Sequence, residues 1–114
     1  MKLYGIPNCD TVKKARSWLA DANIGYEWHD FKKQGVTSEL LGGWAAQVGW
    51  EKLVNKAGTT WRKLDDATKA GVVDTDSAIA LMMAQPSVIK RPVLDSNGTI
   101  SVGFSTERYE ALLK

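Results

Sequence analysis

The chain has 114 residues, 44% of them apolar and 25% charged, with a formal net charge of +2, one cysteine and one histidine. That length supports a single core, so one domain over residues 1–114 is expected, and the composition is that of an ordinary soluble globular protein. So small a charge, with no basic stripe, makes no case for nucleic acid; no 18-residue apolar run marks a membrane span, and one Cys with one His cannot form a zinc cluster.

Lys2–Gly5 reads as a short buried strand, followed by a Pro7-Asn8 turn. Val12, Ala15, Trp18, Leu19 and Ala22 then form a helical stripe ending near Asn23, and the β-rich composition from Tyr26 to Phe31 marks a second strand. Strand, helix and strand in this order make a βαβ unit, which predicts parallel strands joined by a right-handed crossover.

Between Gly35 and Pro86 the signals are all helical, which predicts an insertion at about residues 36–86. Thr37 or Ser38 caps a helix carrying Leu40, Leu41, Trp44, Ala45 and Val48, closed by Gly49. A short turn near residues 51–55 precedes the Gly58-Thr-Thr-Trp-Arg62-Lys block. Asp74 caps a further helix with Ala78, Ile79, Leu81 and Met82 facing inward, stopped before Pro86. Val93-Leu94, Asn97-Gly98 and Thr99–Val102 predict a hairpin, and Ser105 caps a last helix, Thr106–Leu113. The order βα, β, helices, ββα is that of an α/β, thioredoxin-like fold with a mixed sheet and a helical insertion between the second and third strands. Most of the five tryptophans, with Met82 and Met83, are assigned to the core, and Trp61 is a candidate for a substrate groove.

Cys9 falls at or just before the first turn of the first helix, where free N–H groups and the helix dipole favour the thiolate. Lys13 follows one turn later, with Lys14 and Arg16 nearby. The alternative is a buried structural cysteine, but a Pro-Asn turn faces solvent more often than a strand centre does. In a thioredoxin-type layout the loop before the third strand lies beside this helix, placing Lys90-Arg91-Pro92 near the thiol and making the Arg91-Pro92 bond a candidate for a cis peptide. Arg62 is the second candidate for an anion clamp, since a guanidinium pairs with carboxylates and oxyanions through two parallel hydrogen bonds. His29, out of phase with Tyr26 and Trp28, is placed on a sheet face or edge and not in catalysis.

These residues resemble the arsenate-reductase-like family that includes ArsC, the Spx regulators and the YffB-type proteins. The likeness runs nearly end to end: Leu3-Tyr-Gly-Ile-Pro-Asn-Cys9-Asp-Thr-Val-Lys13-Lys14-Ala, the Gly58–Lys63 block, Lys90-Arg91-Pro92, and Gly103-Phe104. The opening is closest to the YffB branch. The resemblance implies that Cys9 is the nucleophile and that Arg62 and Arg91 hold an oxyanion. The reductases add a third arginine before the last helix, where Gly103 stands here; Arg108 lies five residues on and is a poor substitute. The regulators often carry a Cys-x-x-Cys switch, and here the second position is Val12.

A single thiol must be resolved by an outside thiol. The expected function is glutathione-dependent thiol/disulfide reduction, with Cys9 catalytic, Lys13, Arg62, Arg91 and Pro92 holding glutathione, and no tightly bound cofactor or metal. Two alternatives stand beside it: arsenate reduction with glutathione and glutaredoxin, and a non-enzymatic regulator binding RNA polymerase. With no secretory leader pattern, no internal disulfide and no apolar stripe left over, a cytoplasmic monomer is expected.

Overall fold

In the computed structural model, which describes residues 1–114, the chain runs β1 (Lys2–Gly5), α1 (Asp10–Asp21), β2 (Glu27–Asp30), α2 (Phe31–Gln34), α3 (Ser38–Val48), α4 (Trp50–Leu53), α5 (Thr59–Arg62), α6 (Asp66–Ala70) and α7 (Thr75–Ala84). A 3-10 turn (Pro86–Val88), β3 (Val93–Ser96), β4 (Thr99–Val102) and α8 (Thr106–Leu113) complete it. Two units emerge, one built from Met1–Gln34 with Arg91–Lys114 and the other from Gly35–Lys90.

The first unit holds a four-stranded sheet of order β2-β1-β3-β4. β1 pairs parallel with β2, Leu3 opposite Trp28, and antiparallel with β3, Leu3 opposite Leu94. β3 pairs antiparallel with β4. This is the expected mixed sheet and thioredoxin-like topology. At the hairpin Asn97 and Gly98 both have positive φ, 53° and 97°, the pair of left-handed residues that a type I′ turn requires. Its core is Leu3, Ala15, Leu19, Leu94 and Tyr109, each fully buried, so the stripe on α1 packs down on the central strand.

Tyr109 sits edge-on to Trp18 and Phe104, at ring-centroid distances of 5.6 and 4.8 Å. Its hydroxyl is buried without a hydrogen-bond partner, and burial pushes its pKa far above the ordinary tyrosine value. An unpaired buried hydroxyl costs about 1–3 kcal/mol. Tyr109→Phe keeps the ring and removes that cost, so denaturant unfolding should show equal or greater stability. A clear loss would mean that the hydroxyl is satisfied in solution.

The second unit is helical, as expected. Thr37 caps α3 by accepting the Leu40 N–H (3.2 Å), and Gly49 ends it at φ 86°. Asp74 caps α7 in a reciprocal box with Ser77, whose N–H it accepts at 2.9 Å. Buried Leu41, Trp44, Leu53, Ala78, Leu81, Met82, Val88 and Ile89 fill this unit, and an antiparallel bridge joins Val54 to Ile89.

Three details depart from expectation. α6 has no apolar stripe to announce it; Asp65 starts it by accepting the Thr68 N–H at 2.9 Å, and five residues are too few to show a period. Met83 is 43% exposed, because α7 buries Ala78, Leu81 and Met82 and turns the next position outward. Only Trp44 among the tryptophans is buried. The others keep one face available, and Arg16 covers Trp28 at 4.3 Å, Lys114 covers Trp18 at 5.3 Å, and Lys56 lies over Trp50 and Trp61 at 5.7 and 5.3 Å.

Candidate active site

Cys9 is the N-cap residue of α1, with φ −95° and ψ 127°. Its N–H reaches back to the Ile6 carbonyl at 3.3 Å, and its own carbonyl accepts the Lys13 N–H at 2.9 Å. A cap residue in this conformation aims its side chain at the N–H groups of the second and third helical residues. The side chain here is a half-exposed thiol. Burial pushes its pKa up, but the Val12 N–H, the hydrogen bond and charge of the Arg91 guanidinium, and the Thr11 N–H together outweigh it, so the thiol lies below the ordinary cysteine value.

Arg91 is half-buried and precedes Pro92 through a cis peptide bond. Pro92 is buried, and its carbonyl accepts the Gly103 N–H at 2.8 Å, which ties the loop to the end of β4. Cys9, Arg91 and Pro92 thus lie within one unit. Lys13 is exposed one turn along α1, and the shift of the thiol arises without it. Arg62 ends α5 in the other unit, is exposed, and has its carbonyl bonded by Lys69 Nζ at 3.3 Å. Arg16, expected to add charge near the thiol, instead donates from Nε to the Tyr26 hydroxyl at 2.9 Å and lies on Trp28. His29 is on the edge strand β2, against Tyr4 (4.8 Å between centroids) and Phe31 (6.0 Å).

Sequence reasoning did not single out Gly5. A Cβ built there meets Val12 Cγ2 at 2.9 Å, so the absence of a side chain lets the end of β1 approach the first turn of α1. Val12 is fully buried, β-branched and stiff at χ1, and its N–H is one of the donors to Cys9. Gly5→Ala should therefore cost about 1–3 kcal/mol and raise the apparent pKa of Cys9. Denaturant melts and alkylation rates measured on the same variant check both effects.

Gly103 is buried at φ 79°, a conformation that costs an ordinary L-residue about 1–2 kcal/mol. Arg108 donates to the Val102 carbonyl (2.8 Å) and to Ser105 Oγ (3.2 Å), which commits it to the junction of β4 and α8. The site is thus a thiol of lowered pKa beside one guanidinium and two backbone N–H groups. It is equipped to attack an electrophilic sulfur and to stabilise the thiolate when it leaves again.

A cysteine of this kind on a thioredoxin-like sheet defines a class of thiol-bearing scaffolds, and the comparisons narrow it. The ArsC family pattern matches residues 4–112, and the chain belongs to the ArsC family. A solved structure of a YFFB protein is 52% identical, superposes with a TM-score of 0.94, and is matched over 98% of this chain and 97% of its own. The solution structure of an arsenate reductase (ArsC) related protein from Brucella melitensis is 51% identical over 100% of this chain and 96% of its own, with a TM-score of 0.76. An uncharacterized protein of Haemophilus influenzae is 43% identical over 109 residues, covering 96% of this chain and 95% of its own. The global transcriptional regulator Spx of Streptococcus agalactiae is 26% identical over 117 residues, covering 97% of this chain and 81% of its own. No helix is long and apolar enough to cross a membrane.

Proposed function

We propose that this protein is a glutathione-dependent reductase of disulfides that works through Cys9 alone. The observation that carries the reading is the set of groups on the sulfur: the Val12 N–H, the Arg91 guanidinium and the Thr11 N–H, which overcome partial burial to favour the thiolate. In the reaction, the Cys9 thiolate attacks the glutathione-side sulfur of a mixed disulfide R–S–S–G. The S–S bond of the mixed disulfide breaks, R–S⁻ leaves and takes a proton, and Cys9–S–S–G forms. The thiolate of a second glutathione attacks the glutathione sulfur of this adduct, releasing glutathione disulfide and the Cys9 thiolate. Overall, R–S–S–G and one glutathione give R–SH and glutathione disulfide.

A lowered pKa helps both halves of this cycle. Per unit, intrinsic nucleophilicity falls by about 0.4–0.5 log units while the thiolate fraction rises by up to one, so attack gains until the pKa reaches the ambient pH. A lower pKa also makes Cys9 the better leaving group in the second half, and a chain with no second cysteine depends on that step. In this reading Arg91 and Lys13 receive the carboxylates of glutathione, and the loop at Pro92 flanks its backbone. A reducing cytoplasm supplies the thiol.

The test is the rate of Cys9 alkylation against pH, with and without glutathione disulfide. The wild-type midpoint should fall below the ~8.5 of a free cysteine, and a mixed disulfide should protect the thiol. Arg91→Ala should move the midpoint upward, with Arg91→Lys in between. The sign follows from the lowered pKa: thiolate is present above the folded midpoint and lost as pH falls through it. A midpoint at the ordinary value, indifferent to Arg91, would sink the assignment.

Arsenate reduction is the weaker reading. Family resemblance calls for a third arginine where this chain has a buried, positive-φ glycine, and Arg108 is held at the end of β4. Regulation of the kind named for the Spx relative is the remaining reading, and it would survive loss of the thiol.

A further inference from the structure

A groove of ≈ 400 Å³ runs along the exposed side of α1, formed by Lys13, Lys14, Ser17, Trp18 and Asp21, with Phe104 opposite. The two aromatic rings give it an apolar floor, and that floor is rigid, because Trp18 and Phe104 both rest edge-on on the buried ring of Tyr109. Lys13 and Lys14 stand at the end nearer Cys9, both exposed and neither ion-paired. The groove thus carries two ammonium groups against the single carboxylate of Asp21, and Lys114 Nζ lies over the Trp18 ring at 5.3 Å.

We infer that this groove docks an acidic peptide segment bearing a large apolar side chain, and that the segment belongs to the protein carrying the disulfide that Cys9 attacks. The second half of the inference rests on the function proposed above. Length argues for a peptide. From Lys13 to Asp21 the helix advances roughly 12 Å, about four residues of extended chain, and Asp21 lies roughly 18 Å along the axis from Cys9. Glutathione joined to Cys9 through its own cysteine extends one residue to either side and does not cover that distance. Charge selects acidic sequence next to the disulfide, and the Trp18–Phe104 floor selects an aliphatic or aromatic anchor.

The test uses two glutathionylated peptides of equal length, one with Asp/Glu and a Leu anchor and the other with Lys replacing each acid, beside the small cysteine–glutathione mixed disulfide. The wild-type protein should prefer the acidic peptide in kcat/KM by about tenfold, two exposed charge contacts' worth, and less in high salt. Lys14→Glu should abolish or reverse the preference and leave turnover of the small disulfide unchanged. In parallel, a cysteine-free acidic peptide is titrated into the Cys9→Ser protein and followed by amide chemical shifts. Shifts should concentrate at Lys14, Ser17, Trp18 and Phe104. Equal kcat/KM for both peptides, or shifts mapping elsewhere, would overturn the docking groove. If no disulfide is turned over yet the cysteine-free peptide binds at these residues, the groove stands and the reductase assignment falls.

Discussion

Cys9→Ser should reduce turnover of a glutathione mixed disulfide to the rate without enzyme, and it should do so in a protein at least as stable as the wild type. The first half follows from chemistry: the thiolate is the nucleophile, the chain holds no other thiol, and a serine hydroxyl stays protonated at any pH the fold survives. The second half follows from position. Cys9 caps α1, and serine is among the preferred residues there, its oxygen accepting the N–H groups that now face the sulfur. A cap of that kind is typically worth about 1 kcal/mol over a residue that cannot accept. Disulfide turnover by glutathione, read beside a urea melt, separates the two effects. Turnover retained by a folded Cys9→Ser protein would rule out a thiol mechanism; turnover lost together with the fold would show that the cap requires sulfur.

Leu3→Ala should cost about 2–5 kcal/mol, against a total stability of about 5–15 kcal/mol for a domain of this kind. Leu3 is fully buried on the central strand, with Trp28 across one strand boundary and Leu94 across the other, and it shares its cluster with Ala15, Leu19 and Tyr109. Removing three carbons there leaves a cavity bounded by paired strands on both sides, which cannot move inward without giving up ladder hydrogen bonds. The upper half of the range is therefore expected. Urea unfolding followed by tryptophan fluorescence reads the loss, and a cost below 1 kcal/mol would mean that α1 settles into the gap. Cys9 reactivity should change less than stability, because Cys9 lies four residues beyond the end of β1, is held by the first turn of α1 and Arg91, and stands outside this cluster.

Much of this molecule was legible in order along the chain. The βαβ opening, the Asn97-Gly98 hairpin and the caps at Thr37, Asp74 and Ser105 rest on local rules of turn geometry and helix-end hydrogen bonding, which act over four or five residues. Cys9 was readable for the same reason, since its donors Thr11 and Val12 belong to its own helix. Tryptophan burial was not, because a stripe shows which side of a helix turns inward but not how far in each ring sits. Trp18 and Trp28 end half-covered by Lys114 and Arg16, residues with no sequence rule linking them.

By itself, then, the amino-acid order determined the strands, the main helices and the position of the thiol, each a consequence of contacts between near neighbours in the chain. Tertiary structure alone decided that Arg16 and Arg108 are spent elsewhere. It also decided that Gly5 is the clearance between β1 and α1, and that Phe104 closes a groove over Trp18. Each of these depends on two segments far apart in sequence meeting within a few ångströms, and that meeting is set by the packing of the whole sheet, which no local pattern encodes.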